Sequence, residues 1–278
     1  MEKIEAISFV KWAGGKKQLI EQFKPLFPKK FTHYFEPFVG GGAVAFYVIQ
    51  KYKPKEVFLS DINEELINAY NIIKTDVESL IAKLREHKKN HMKNQKEYYY
   101  KIRDINPKDL SKLNNAARFI YLNRTCFNGL YRVNSKGGFN VPIGSYKNPD
   151  IVQETKLKEI AKLLQNVTVK VMSFEKVVEL AKKGDFVYFD PPYYPLKKGL
   201  SFTTYTKGNF LEKEQKKLAN VFRELDKKGC FCMESNSDTE FIKGIYFGYK
   251  IHTVEARRLI NSKVEGRGKI NEVLIKNY

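Results

Sequence analysis

The sequence predicts an α/β protein with a Rossmann-like core and an inserted, mainly helical module. Three observations carry that expectation. Short apolar segments alternate with stretches of helical periodicity at both ends of the chain, the pattern of a largely parallel sheet. The first of these segments runs into the glycine turn Gly40-Gly41-Gly42 ahead of a helical stretch. In mid-chain the alternation gives way to a basic helical run that ends in a loop rich in Gly, Asn, Ser and Pro.

Taken in order, Tyr34-Phe35-Glu36 reads as the first strand, and a helix follows the glycines from Ala43 to Gln50. Val57-Phe58-Leu59 is a second short strand ending at Ser60-Asp61. Leu66, Ile67, Tyr70 and Ile73 then recur at helical spacing, with Asn63 as a helix-start residue. From Asp76 to Asn128 the pattern is mostly helical, broken at Pro107, and the stretch from Asn128 to Tyr146 reads as a long loop with room for a hairpin. Strands at Val167–Val171 and Phe186–Phe189 bracket a helix expected from Phe174 to Lys183. Lys250–Glu255 and Ile270–Lys276 read as an antiparallel ribbon closing the sheet. The expected division is a core of residues 1–70 and 166–278 with an insertion at 71–165.

Composition narrows the classes. With 278 residues, 42% hydrophobic and 14% aromatic, the chain has the means to build a core, which argues against disorder. No apolar run approaches the roughly 20 residues needed to span a bilayer, and the first residues lack a signal-peptide core; a cytoplasmic protein without a membrane partner is expected. Three cysteines and four histidines, scattered, fit neither a disulfide framework nor a zinc site, so no metal is expected. Fifty Lys and Arg against 31 Asp and Glu give a net charge of +19, which favours a polyanionic partner. Residues 71 to 150 hold 16 basic and 7 acidic side chains, so the inserted segment carries much of that excess. A lysine-rich surface unrelated to nucleic acid gives the same total.

Asp190-Pro191-Pro192-Tyr193 is the sharpest chemical signal. The two prolines must end the apolar strand before them, because they have no N–H for the ladder. Asp190 therefore stands at the carboxyl end of a strand, where open α/β sheets place ligands. The residue types suit a weakly nucleophilic exocyclic amine. A carboxylate and a fixed backbone carbonyl each accept one N–H, and the Tyr193 ring offers a face for a base. A capped strand-end turn has the same sequence. Gly40 to Gly42 between strand and helix, with Asp61 placed 21 residues after Gly40, matches a nucleotide loop and a ribose-binding carboxylate. Lys11-Trp12-Ala13-Gly14-Gly15-Lys16 holds the only tryptophan beside two glycines that permit close backbone approach. Arg124, Phe127, Asn128, Arg132 and Asn134 lead into the mid-chain loop, and such residues read or wedge bases; a solvated helix end would look similar.

Together these stretches resemble the Dam-type adenine-N6 DNA methyltransferases, including the modification enzymes of DpnII-like restriction systems. The resemblance runs from about Ile7 to Tyr278. Its landmarks are KWAGGK at 11–16, EPFVGGG at 36–42, DIN at 61–63, YLNRTCFNGLYRVN at 121–134, FNVPIGSY at 139–146 and DPPY at 190–193. Weaker ones are FTTYT at 202–206, SNS at 235–237 and GRGKINEVLI at 266–275. The family implies a mixed seven-stranded sheet and methyl transfer from S-adenosylmethionine to a flipped-out adenine of duplex DNA, in a GATC target. By match, Trp12, Lys16, Asp61 and Asp190 contact the cofactor, with Gly40 and Gly42 beneath it. Ala13, Gly14, Glu36, Pro37, Phe38, Ile62 and Phe174 complete the expected cofactor set. Asp190, Pro191, Pro192 and Tyr193 form the catalytic turn. Lys11, Leu130, Arg132 and Tyr146 meet the recognition sequence, Phe127 and Asn128 invade a base pair, and Arg124 and Asn134 join the DNA-binding set. Two departures stand out: Phe127 replaces a tyrosine, and Ser145 replaces an arginine beside Tyr146. A restriction endonuclease cutting the same sequence is the partner such a modification enzyme implies.

Overall fold

A computed structural model describes residues 7–134, 137–196, 210–257 and 269–278. The N-terminal segment forms no strand; it turns at Trp12–Gly15 and enters a 3₁₀ turn at Lys16–Leu19, continued by the single helical turn α1 (Ile20–Phe23). Then come β1 (His33–Glu36), α2 (Ala43–Tyr52), β2 (Glu56–Asp61) and α3 (Glu64–Thr75), with Asn63 accepting the Leu66 N–H at 3.0 Å as the helix cap. The helical module is α4 (Val77–Lys93), α5 (Gln95–Arg103), a 3₁₀ turn at Pro107 and α6 (Lys112–Thr125). Asp76, Asn94 and Ser111 cap these helices, so polar residues in mid-chain punctuate rather than interrupt. After the loop come α7 (Glu154–Leu163), β3 (Val167–Val171), α8 (Val177–Leu180), β4 (Phe186–Phe189), α9 (Glu212–Lys227), β5 (Phe231–Ser237), α10 (Glu240–Ile245), β6 (Lys250–Arg257) and β7 (Lys269–Lys276). The helix expected from 174 to 183 is shorter: a 3₁₀ turn at Phe174–Lys176 leads into α8, and Ala181 is already extended.

The seven strands form one sheet in the order β3-β2-β1-β4-β5-β7-β6. The first five are parallel, and β7 runs antiparallel between β5 and β6. All four residues of β4 are buried, as a parallel strand covered on both faces requires. The chain winds outward from β1 to β3 and then returns to lay β4 beside β1, so the order reverses between them. Open α/β sheets place their ligands at such a reversal, here the carboxyl ends of β1 and β4.

Two apolar layers cover the sheet. On one face Tyr34, Tyr188, Met233 and Leu274 meet Phe46 and Val48 of α2 and Leu66, Ile67 and Ile73 of α3. Leu80, Leu84, Tyr99 and Phe119 of the helical module belong to this same layer. On the other face Phe35, Val187, Phe189 and Val273 meet Leu218, Phe222 and Leu225 of α9 and Ile242 of α10. The buried Arg118 of α6 stitches the module to the core. It donates to the carbonyls of Ile102 and Arg103 at the end of α5, and pairs with Glu65 of α3 at 3.2 Å. A guanidinium satisfies the orphan carbonyls of a helix end while its charge is compensated.

Candidate active site

Asp190 and the first glycines meet through Lys16. Lys16, only 3% exposed, places its Nζ 2.7 Å from Asp190 Oδ1 and also donates to the Gly14 carbonyl. The same Nζ lies 4.7 Å from the centroid of the Tyr193 ring. Burial pushes the Asp190 carboxyl up to about 6, Lys16 opposes that rise, and Glu272 adds to it. Among the described residues Asp190 Oδ2 has no hydrogen bond. The turn itself is held from below. Gln215 of α9 donates to the Pro192 carbonyl at 2.9 Å, and the Tyr194 N–H donates to Asn236 Oδ1 at 3.2 Å. Asn236 in turn donates to Gln215 at 3.0 Å and to Glu234 at 2.9 Å, and the Tyr246 hydroxyl donates to the other Glu234 oxygen. With the Pro192 carbonyl engaged, the Pro191 carbonyl is left without a hydrogen bond among the described residues.

On the β1–β2 side, Gly40 and Gly42 adopt φ of 47° and 73°, where glycine is favoured. A Cβ on Gly40 would lie 2.8 Å from the Trp12 indole, and one on Gly42 would lie 2.5 Å from the Tyr70 hydroxyl. Asp61 accepts the N–H of Gly40 at 3.3 Å and of Asn63 at 3.0 Å, which fastens the loop to the end of β2. Burial pushes its carboxyl up to about 6, with the backbone N–H donors opposing. Ile62 beside it is 55% exposed. Phe38 stacks on Phe174 at 5.3 Å, and Phe210 closes on both at 5.7 and 5.8 Å. Pro37 precedes Phe38 in the same turn, and Ala13 sits between Trp12 and Gly14. Glu36 is different in kind. It is buried, accepts the Tyr34 hydroxyl at 2.6 Å and the Ala45 N–H, and burial holds its carboxyl well above the usual range. It supports the start of α2 from beneath the loop.

The mid-chain loop comes back to the N-terminal segment. Asn123 of α6, fully buried, accepts the Lys11 N–H at 2.8 Å and donates to the carbonyls of Lys11 at 2.8 Å and Gly129 at 3.1 Å. A Cβ on Gly129, at φ 65°, would lie 2.4 Å from Lys11 Cβ. The Lys11 ammonium sits over the Tyr146 ring at 4.0 Å, so two expected recognition residues touch. Phe127 stands 48% exposed, and Asn128 follows with φ of 54°, at the tip of a 3₁₀ turn that leads into the half-buried Leu130. Arg132 reaches Asn140 at 2.7 Å across the hairpin-like loop, whose bridges are Cys126–Ile143 and Val133–Phe139. Asn134 accepts the Gly138 N–H at 2.9 Å at the end of that loop. Arg124 is not presented to solvent: its side chain is 12% exposed and holds the Asp150 carbonyl at 2.9 Å and the Asp150 carboxylate at 3.2 Å.

A family model for D12 class N6 adenine-specific DNA methyltransferases matches residues 12–260. The chain belongs to that family. Type II methyltransferase M.MjaIII of Methanocaldococcus jannaschii is 47% identical over 99% of this chain and 100% of its own length. Type II methyltransferase M1.LlaDCHI of Lactococcus lactis is 44% identical over 99% of this chain and 97% of its own. The DNA adenine methylase of Haemophilus influenzae is 36% identical over 98% of this chain and 94% of its own. This D12 class methyltransferase is thus an adenine-specific DNA-modifying enzyme.

Several residues that shape the methyltransferase site escape inspection of its motifs. Gln215 lies in a Lys- and Glu-rich helix and has no local signal. Asn236 and Glu272 fall inside the weaker landmarks SNS and GRGKINEVLI, but only the fold brings them to the DPPY turn. Tyr131 stacks on Trp12 at 5.8 Å and donates to Glu65 at 3.1 Å, joining the mid-chain loop to the N-terminal turn. FTTYT at 202–206 and the first three residues of GRGKINEVLI lie outside the described residues. Among the described residues no His, Cys, Asp or Glu cluster is gathered for a metal, and no helix is long and apolar enough to cross a membrane.

Proposed function

We propose that this enzyme transfers a methyl group from S-adenosylmethionine to N6 of an adenine turned out of duplex DNA, within GATC. The observation that carries this reading is the arrangement of the DPPY turn. Gln215 occupies the Pro192 carbonyl, leaving the Asp190 carboxylate and the Pro191 carbonyl as two acceptors beside a glycine cradle. The residues fit the cofactor. Gly40 and Gly42 take left-handed backbone that lets the loop close against Trp12 and Tyr70, Asp61 offers a carboxylate for ribose hydroxyls, and exposed Ile62 with Phe38 and Phe174 offers apolar surface for a purine. Lys16 and Asp190 supply opposite charges for a zwitterionic amino-acid end.

When bound, the cofactor supplies a methyl group on a sulfonium, already activated toward a nucleophile. The chain then has two tasks. Asp190 and Pro191 accept the two amine N–H bonds, which draws the nitrogen lone pair out of ring conjugation and toward the methyl; as the nitrogen takes the methyl and the sulfur is left as a neutral thioether, N6 sheds one proton past the Asp190 carboxylate to solvent. Tyr193 stacks on the base and sets its plane. This is catalysis by orientation and fixed dipoles. Extrusion of the base follows the general behaviour of enzymes that act on bases in duplexes, and the exposed Phe127 with Asn128 is suited to fill the vacated space. Lys11, Leu130, Arg132 and Tyr146 read the target, while Arg124 holds the loop through Asp150. The helical module at 71–165 is the recognition unit, and the relatives named type II methyltransferases support a restriction-modification setting with a partner endonuclease.

Incubation with labelled S-adenosylmethionine and duplexes that contain or lack GATC tests the reading. Label should appear as N6-methyladenine in GATC duplexes alone. Labelling of RNA or free nucleotide in preference to duplex would establish a different substrate. Equal labelling of both duplexes would exclude the GATC assignment.

A further inference from the structure

Glu272 is not needed for any step above, yet it reaches the DPPY turn. Strand β7 runs opposite to β4 and β5, so its first residues arrive at the carboxyl edge of the parallel strands. There Glu272 pairs across the ladder with Ser237, and its Oε2 accepts the Tyr193 hydroxyl at 2.7 Å. Tyr193 is thereby held at both ends: its backbone follows two prolines, and its hydroxyl is tied to a strand of the sheet. Lys16 lies over the ring face. Directly paired cross-strand residues project from the same face. The Ser237 hydroxyl, in a residue 4% exposed, has no hydrogen-bond partner among the described residues.

We propose that Glu272 is a positioning residue that fixes the plane of the Tyr193 ring for the target base. The proposal rests on the reading that Tyr193 stacks on that base. A tyrosine ring rotates about two side-chain bonds, and one charge-assisted hydrogen bond at the far end removes most of that freedom. The Tyr193 hydroxyl, pushed well above its ordinary value by burial and by the nearby Asp190 and Glu272 carboxylates, stays a donor at neutral pH. A ring fixed before the base arrives needs no ordering when stacking begins.

The test compares Glu272→Ala, Glu272→Gln, Tyr193→Phe and the double variant Tyr193→Phe/Glu272→Ala on a GATC duplex, with Tyr193→Ala as reference. Glu272→Ala should lower kcat about tenfold, with cofactor and duplex Kd each within about twofold of wild type. Glu272→Gln, whose amide oxygen still accepts, should recover to within about threefold of wild type. Tyr193→Phe should match Glu272→Ala, and the double variant should lose no more than either alone. With 2-aminopurine at the target position, Glu272→Ala should show less quenching than wild type.

Asp190 is faced by Lys16 and Glu272, by Glu36, Tyr34 and Tyr188 on the sheet, and by Glu234 and Tyr193. Only Glu272→Gln and Glu272→Ala remove a negative charge from this set. Both should move the acidic limb of kcat/KM to lower pH, whereas Tyr193→Phe should not. Wild-type kcat in Glu272→Ala, multiplied losses in the double variant, or 2-aminopurine quenching equal to wild type overturns the proposal. If Tyr193→Ala itself keeps wild-type kcat, the base-stacking reading fails first.

Discussion

Asp190 shows how one carboxylate is poised by opposing forces. Burial and Glu272 raise it, while the Lys16 ammonium at 2.7 Å draws it back, and the balance lies at about 6. Protonation removes the charge that makes Asp190 a strong acceptor and turns one of its oxygens into a donor, so kcat/KM should fall as pH drops through about 6, and a rate profile flat to pH 5 would contradict the assignment. Asp190→Ala should cut turnover by about 100- to 1,000-fold, the loss typical of removing one fixed polar group from a transition state. Turnover at the wild-type level would sink the catalytic role. The identity of this residue was legible in the sequence, because two prolines after an apolar strand place the preceding Asp at a strand end. Its partner Lys16 was visible as a lysine after two glycines, but their ion pair was not.

At the scale of elements, the N-terminal segment and the mid-chain loop are fastened together. Asn123 of α6 makes three backbone hydrogen bonds that fasten Lys11 to Gly129, and Lys11 and Trp12 then face opposite ways. Lys11 touches Tyr146, while Trp12 packs against Gly40 and Tyr131. Asn123→Ala leaves those backbone groups unpaired and should cost about 1–3 kcal/mol of stability, read as a lower urea midpoint. Duplex affinity should weaken with it, and unchanged stability would show that the clamp is dispensable. Sequence inspection places Arg124 among the DNA-binding candidates, and in the fold its guanidinium pairs with Asp150, a contact that the sequence did not signal. Charge type is readable from a sequence, and direction is not.

Two properties belong to the whole molecule. The charge of +19 should make duplex binding fall steeply with salt, as log Kd linear in log salt between about 50 and 200 mM; an affinity insensitive to salt would deny the phosphate contacts. The second property concerns stability. Burial lifts Glu234 from its ordinary 4.5 to about 7, against the pull of Tyr246 and Asn236, and Asp61 and Asp190 are also raised. Between the unfolded and folded values the native state binds more protons, so these groups lose stability as pH rises from about 4.5 to about 7. Glu234→Gln should therefore raise Tm at pH 8 relative to wild type and bring little change at pH 5. An equal shift at both pH values would count against titration of Glu234 as the cause.

The sequence by itself determined the α/β class, the strand ends at Glu36, Asp61 and Phe189, and the place of the DPPY turn just beyond a strand, because alternation, glycines and prolines act through local backbone geometry. It also determined that the middle of the chain is helical and basic. Tertiary structure alone decided that β4 returns beside β1, that β7 rather than β6 lies beside β5 and delivers Glu272 to Tyr193, and that Gln215 and Asn236 hold the turn from below. Those contacts join residues 21 to 79 positions apart. No periodicity in a chain encodes such pairs; they form only when the two layers close over the sheet.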